Sequence, residues 1–228
     1  MTRLKLSLQR SEEFIAEAAH RVRTPLAVVR TRTEILLREA KTKKSKAELL
    51  EVLNAIDDSS RTAGQLLDHA MVSFRLDNLS EDEIEVQFLI KDVIDRISPL
   101  YELKGIQIKS NSIQNCKVIG DSILLQNALH NVLDNALKYC SENDTVTVKV
   151  KDVSENCIID IVDSGEGFPE TSVLLTNRFT RGENTKGIVG SGLGLTIAKD
   201  VVEAHGGNIT ISNTEEGGAC VTFTLPCS

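Results

Sequence analysis

The sequence predicts an α-helical hairpin, completed to a four-helix bundle as a dimer, followed by a two-layer α+β sandwich domain. Three observations carry this expectation: two long runs with apolar steps of four and three, a change of pattern at the polar stretch DNLSEDE, and glycine-rich punctuation of the shorter segments beyond it. The first run places Ile15, Ala19, Val22, Leu26, Val29, Thr33 and Leu36 on one seam, as in a helix packed within a bundle. KTKKSK at residues 41–46 interrupts it, and the rhythm resumes as Leu49, Leu53, Ile56, Ser60, Ala63, Leu67, Ala70 and Phe74. Two helices joined by so short a loop form a hairpin that buries little by itself, so a second copy is the economical way to cover the seam. The domains are expected at residues 1–77 and 78–228.

In the second domain EIEVQ and IQIKSN read as strands flanking a helix near Leu89 to Tyr101 that ends at Gly105. After KVIGD, the segment SILLQNALHNVLDNALKY has helical periodicity. VTVKVKDV and CIIDIVDSG form paired strands with a turn at SEN, and GLGLTIAKDVVEAHGG is a helix closed by Gly206. NITISN and ACVTFTLP end the chain as a hairpin around EEGG, giving strands in one layer and three helices in the other.

Composition narrows the function. The chain has 228 residues, 41% of them hydrophobic, and a formal net charge of -7, with no Trp and two Tyr. That argues against a nucleic-acid binder, since no basic stripe interleaved with aromatics is present. The charge is uneven: residues 1–45 carry 11 Lys/Arg against 5 Asp/Glu, a balance of +6 that leaves -13 for the remainder. No apolar run is long enough to span a bilayer and the start lacks a signal-peptide apolar region, so the chain reads as cytosolic, a fragment cut from a longer receptor. The five cysteines, Cys116, Cys140, Cys157, Cys220 and Cys227, are scattered without a CxxC pair or metal-ligand spacing and read as thiols in a reducing compartment.

Three motifs carry chemistry. In IVGSGLGLTIAK, Gly190, Gly192 and Gly194 let the backbone approach a ligand closely, and the helix that follows offers unpaired N–H groups to phosphate. Alone, such a loop is equally a turn; it lacks the GK[ST] ending of a P-loop. DSGEGF ends an apolar strand, where the Asp163 carboxylate can accept from an exocyclic amine such as that of adenine, with Gly165 and Gly167 clearing room; a tight Asp-Gly turn is the alternative. HNVLDNALKY puts Asn131 and Asn135 one helical turn apart, where two amide oxygens can ligate a hard cation such as Mg²⁺ or be satisfied within the fold. Lys138 could reach phosphate and Tyr139 could line a base pocket, or the two could be a rim lysine and a core tyrosine.

In this order the three closely resemble the nucleotide-binding domain of sensor histidine kinases: HNVLDNALKY its N box, DSGEGF and GSGLGLTIAK its two glycine boxes, and RFTRG the box on the ATP lid between them. FIAEAAHRVRTPLAVV resembles the family's phospho-acceptor box on a dimerising hairpin, so the resemblance runs from about Phe14 to nearly the end of the chain. It implies that Asn135 holds Mg²⁺ with Asn131 assisting and that Asp163 reads the adenine of ATP. It implies phosphate or nucleotide contacts from Lys138, Phe179, Arg181, Gly190, Gly192 and Gly194, with Leu195 beside them, and it makes His20 the nucleophile for the γ-phosphoryl group. The implied partners are a second copy and the receiver domain of a response regulator, whose dephosphorylation would use water oriented by Thr24. The implied setting is the cytoplasmic portion of an inner-membrane receptor, with the membrane reached only through segments outside this chain.

Two features of HRVRTPLAVV need physical comment. Pro25 cannot donate to the carbonyl of Arg21, so a bend is expected within a turn of His20. Arg21 stands where the family commonly has Glu or Asp, and an arginine cannot accept a proton. Arg21 is therefore expected to act electrostatically on His20 and the phosphate, leaving Glu17 or water to take the proton; the rival is a weak kinase whose dominant activity is phosphatase. Another ATP-driven conformational machine of the same nucleotide fold is the remaining alternative.

Overall fold

A computed structural model describes the backbone of residues 2–76, 79–168 and 194–228, with side chains in the first helix from Glu17 onward except those of 19, 20 and 23, and in the second except those of 61, 65, 68 and 69. The chain divides into two compact units, the first ending at Asn78 and the second beginning at Leu79.

The first unit is an antiparallel-type hairpin of α1 (Thr2–Glu39) and α2 (Lys43–Leu76). α1 continues through Pro25 without interruption. α2 begins where the sequence supplies a cap: Thr42 Oγ1 accepts the Ser45 N–H at 3.1 Å. Arg30 ties the two helices, its Nε donating to Asp57 Oδ1 at 2.8 Å while Nη1 lies 2.6 Å from Glu34. Thr33, Leu53 and Ile56 of the predicted seams are buried, yet Val22, Val29 and Leu36 remain 38%, 48% and 53% exposed. Two helices touch along only one strip, so the rest of an apolar seam stays open within one chain.

The second unit contains β1 (Asp82–Glu85), α3 (Val86–Leu103), β2 (Gln107–Ile113), β3 (Lys117–Gly120), α4 (Ser122–Tyr139), β4 (Thr145–Val153), β5 (Asn156–Asp163), α5 (Gly194–Ala204), β6 (Asn208–Asn213) and β7 (Ala219–Pro226). Its main sheet has the order β2-β4-β5-β7-β6, parallel only between β2 and β4. Alternation puts Val146, Val148 and Val150 in register with Asp163, Ile161 and Ile159, and the last two with Val221 and Phe223, so one face of three strands forms a continuous core.

Two boundaries differ from the expectation. EIEVQ is not a strand throughout: the strand stops at Glu85, and Val86 starts a helix whose buried face is Val86, Leu89, Ile90, Val93, Ile97 and Tyr101. Each of these faces the core with helical spacing, so burial overrides the β-branched preference of Val86. KVIG, which precedes the predicted helix, is β3 and pairs with β1 in a separate two-stranded ribbon. Four residues carry too little alternation to announce a strand.

The helical layer is fastened by specific polar groups. Asp121 caps α4, its Oδ1 accepting from Ile123 N at 2.9 Å and Leu124 N at 3.1 Å. The Asp121 N–H donates to His205 Nε2 at 2.9 Å, and His205 Nδ1 lies 2.7 Å from the Val201 carbonyl, so the neutral tautomer with Nδ1–H links the end of α5 to the start of α4. Tyr101 donates its buried hydroxyl to the Leu133 carbonyl at 2.7 Å. At the other end of α4, Lys104 Nζ donates to the carbonyls of Leu137, Cys140 and Lys138 at 2.6, 2.7 and 3.3 Å, satisfying oxygens that the helix cannot pair internally.

Candidate nucleotide site

Three elements of the second unit converge at one end of the sheet: the C-terminal half of α4, the end of β5 with its following loop, and the start of α5. Asp163 is the last residue of β5, and its half-buried side chain is held by two backbone donors, Gly165 N at 3.0 Å and Ala219 N at 3.1 Å, both to Oδ1. Oδ2 takes neither bond. Burial pushes the Asp163 carboxyl above its ordinary 3.8, against the two backbone bonds that pull it down.

The loop after Asp163 is fixed on both sides. Ser164 Oγ accepts the Thr145 N–H and donates to Asp144 Oδ1, each at 2.9 Å. Asn213 grips Phe168 twice, accepting its N–H and donating to its carbonyl, both at 2.7 Å. A Cβ at position 165 would lie 2.9 Å from the Tyr139 carbonyl oxygen and 3.2 Å from Asp163 Oδ1, so only glycine lets the loop cross the end of α4 this closely. Gly167 has φ +72°, as its place in the turn requires.

Asn131 and Asn135 are half-buried on α4. A Cβ at Gly194 would sit 3.5 Å from Asn131 Oδ1, which places the first residue of α5 against the first of the two amides. Leu195 is buried behind it. Lys138 does not stand alone: its Nζ is 2.6 Å from Asp134 Oδ2, with both side chains about a third exposed or less. Asp134, inside HNVLDNALKY but not among the expected site residues, could have been found from its i,i+4 spacing to Lys138. Tyr139 is half-buried at the end of α4, and beneath it the buried Cys140 thiol is pushed up to about 12, chiefly by burial and then by Asp163.

The structure thus brings together Asn131, Asn135, Lys138, Tyr139, Asp163, Gly165, Gly167, Gly194 and Leu195. Phe179, Arg181, Gly190 and Gly192 lie outside the described residues. Two groups with no motif of their own, Asn213 and Gly218, complete the frame through the loop clamp and a close backbone approach to Asp163. A half-buried carboxylate whose Oδ2 takes neither backbone bond fits the adenine amine, the start of α5 fits phosphate, and the paired amides of α4 fit a hard cation.

In the first unit, His20 lies on α1, and its side chain is outside the described residues. Arg21 Nη2 and Nε donate to Glu17 Oε1 at 2.7 and 3.1 Å, one turn apart, with side chains 77% and 61% exposed. Such an exposed pair is worth at most about 1 kcal/mol and opens readily. Thr24 and Pro25 are exposed on the next turn. None of the helices among the described residues is long and apolar enough to cross a membrane.

Comparison with known proteins adds two family matches. Residues 120–228 match the histidine kinase-, DNA gyrase B-, and HSP90-like ATPase family, and residues 10–79 match the His Kinase A (phospho-acceptor) domain. Sensor histidine kinase WalK of Bacillus subtilis is 32% identical over 96% of this chain and 37% of its own length. The kinase/phosphatase MprB of Mycolicibacterium vanbaalenii is 31% identical over 93% of this chain and 45% of its own. The chain therefore spans less than half of these curated relatives. Among solved structures, full-length ShkA in complex with AMPPNP superposes with a TM-score of 0.68 at 23% identity, over 95% of this chain and 46% of that one.

Proposed function

This chain belongs to the sensor histidine kinases of two-component systems, and from that premise we propose that it binds Mg-ATP, phosphorylates His20 and passes the phosphoryl group to an aspartate of a response regulator. The observation that supports the nucleotide half is Asp163, fixed through Oδ1 by Gly165 and Ala219, which leaves Oδ2 outside both bonds to accept from the adenine amine in this reading. Asn135, with Asn131 assisting, would hold Mg²⁺, which offsets the charge of the transferring phosphoryl group. Lys138 would swing from Asp134 to phosphate, and Phe179, Arg181, Gly190 and Gly192 are assigned to the same nucleotide on sequence alone.

A second copy of the chain is the proposed partner for the apolar residues that the hairpin leaves open, Val22, Val29 and Leu36 among them. Residues 1–77 would serve as the dimerising and phospho-accepting part and 78–228 as the catalytic part. A location on the cytoplasmic side of a membrane receptor follows the same family reading.

The decisive experiment is incubation with labelled ATP and Mg²⁺, followed by acid and alkali treatment. A phosphohistidine label is lost in acid, stable in alkali, and absent in His20→Ala. An acid-stable label, or one that survives in His20→Ala, would sink the proposal.

Arg21 is assigned an electrostatic role, favouring neutral imidazole at His20 and holding Glu17, three residues before the histidine and on its face of the helix, as proton acceptor. Arg21→Glu is expected to raise the pKa of His20 and slow labelling below neutral pH, with nucleotide affinity unchanged. An identical rate and pH profile would end this assignment. The absence of an acid at position 21 also favours a second reading, a phosphatase-dominant relative using Thr24 to orient water; faster regulator dephosphorylation than His20 labelling would select it.

A further inference from the structure

The fold gathers cysteines that the sequence scatters. Cys116 precedes β3, Asp152 and Cys157 face each other across β4 and β5, and Cys227 follows β7. One ligand atom from each of Cys116, Asp152 and Cys227 lies within 4.8 Å of the others. Cys157, also buried, stands opposite Asp152 in the strand register. We propose that this cluster is a thiolate-rich site for a borderline-soft divalent cation of the zinc class, ligated by Cys116, Cys227 and Asp152.

The chemistry of the donor set selects the metal class. Two sulfurs and one carboxylate suit Zn²⁺, whereas Mg²⁺ and Ca²⁺ require oxygen throughout. Tetrahedral Zn–S bonds of about 2.3 Å place sulfurs roughly 3.8 Å apart, so the present separations need only a modest contraction. Charge is suitably open: among the described residues no lysine or arginine pairs with the Asp152 carboxylate, whose side-chain neighbour is the Cys227 thiol at 3.9 Å. The nearby Lys151 is engaged by Asp160 and Lys117 by Glu83.

The ligands also sit on a braced frame, as outer-shell support requires. The Asp152 N–H donates to Gln114 Oε1 at 2.7 Å, the Cys227 N–H to the Glu155 carbonyl at 2.8 Å, and the Ser228 N–H to the Lys117 carbonyl at 2.9 Å. Cys116 is buried, while Asp152 is exposed and Cys227 half-exposed, so the site has a sealed floor and an open mouth. On binding, each ligating thiol releases its proton to solvent and its sulfur electron pair forms the bond to the metal. Cys157 and Asp163 stand six residues apart on β5, roughly 20 Å, so this site is separate from the nucleotide end of the sheet.

The reduced chain, titrated with Co²⁺ as a spectroscopic stand-in and then with Zn²⁺, is expected to bind one equivalent, with a sulfur-to-cobalt charge-transfer band that Zn²⁺ abolishes. Cys227→Ser, near the chain end and half-exposed, should remove most of the band even if Cys116→Ser fails to fold. Asp152→Asn should weaken binding about tenfold or more, and Cys220→Ser, outside the cluster, should change nothing. No charge-transfer band, a band unaltered by Cys227→Ser, or a reduced chain that takes up no metal and instead forms a Cys116–Cys227 disulfide on mild oxidation would each overturn the site. The readout requires no nucleotide, so it stands or falls independently of the kinase assignment.

Discussion

Asp163→Asn is expected to leave the ATP-binding domain folded, to raise its melting temperature at neutral pH, and to weaken ATP binding by about 100-fold. The reasoning begins with the two oxygens. Oδ1 accepts from Gly165 and Ala219, and asparagine keeps that carbonyl acceptor, so the loop and strand end stay in place. Oδ2 becomes an NH₂ group, which meets the exocyclic amine of adenine donor to donor. The stability gain follows from the raised pKa of Asp163, whose first cause is burial. A carboxyl held above its unfolded value contributes stability that is fully present below about 3.8 and is lost as pH rises through the folded value. At neutral pH the buried carboxylate is charged and costs stability, a cost the neutral amide does not carry. The difference in melting temperature should therefore shrink as pH falls toward 3.8. Thermal denaturation across pH with a nucleotide titration reads both effects: unchanged ATP affinity would remove Asp163 from adenine recognition, and a lower melting temperature would reject the desolvation argument.

Gly218→Ala is expected to destabilise the same domain by about 3 kcal/mol, or roughly 10 °C in melting temperature. A Cβ at this buried position would collide with the Asp163 carbonyl oxygen, and would stand 2.9 Å from its carbonyl carbon and 3.0 Å from Ser164 Cα. All three obstacles are backbone, so no side chain can rotate aside. The turn between β6 and β7 must retreat from the end of β5, stretching the bond from the Ala219 N–H to Asp163 that orients the carboxylate. ATP affinity should fall with stability. Gly194→Ala is the matched control: its Cβ would find Asn131 Oδ1 at 3.5 Å, an ordinary contact, and should cost far less. Equal melting temperatures for Gly218→Ala and the parent would show that the strand end yields without penalty.

The sequence was most informative where a local rule sufficed. The four-three apolar rhythm announces both hairpin helices because helical geometry places those residues on one stripe. Alternation announces β4, β5 and β7, whose buried positions repeat every second residue. DSGEGF, HNVLDNALKY and GSGLGLTIAK point to a nucleotide site only in combination, through their resemblance to the boxes of the sensor histidine kinases, since each alone is equally a turn or a pair of satisfied amides. Short or junctional segments were less legible. KVIG becomes a strand only because β1 lies beside it, and Val86 joins a helix because its side chain is wanted in the core.

What only tertiary structure decided concerns residues far apart in the chain. Nothing near Gly218 in sequence indicates that it must pass against Asp163, and nothing near Asn213 indicates that it clamps Phe168. His205 carries no motif, yet it accepts from the backbone of the residue that caps α4. Cys116, Cys157 and Cys227 read as unrelated thiols because their spacing follows no ligand pattern. Strand pairing brings them to one end of the sheet beside Asp152. Local spacing encodes helices, strands and contiguous motifs, whereas long-range pairing creates the sites whose members are strangers along the chain.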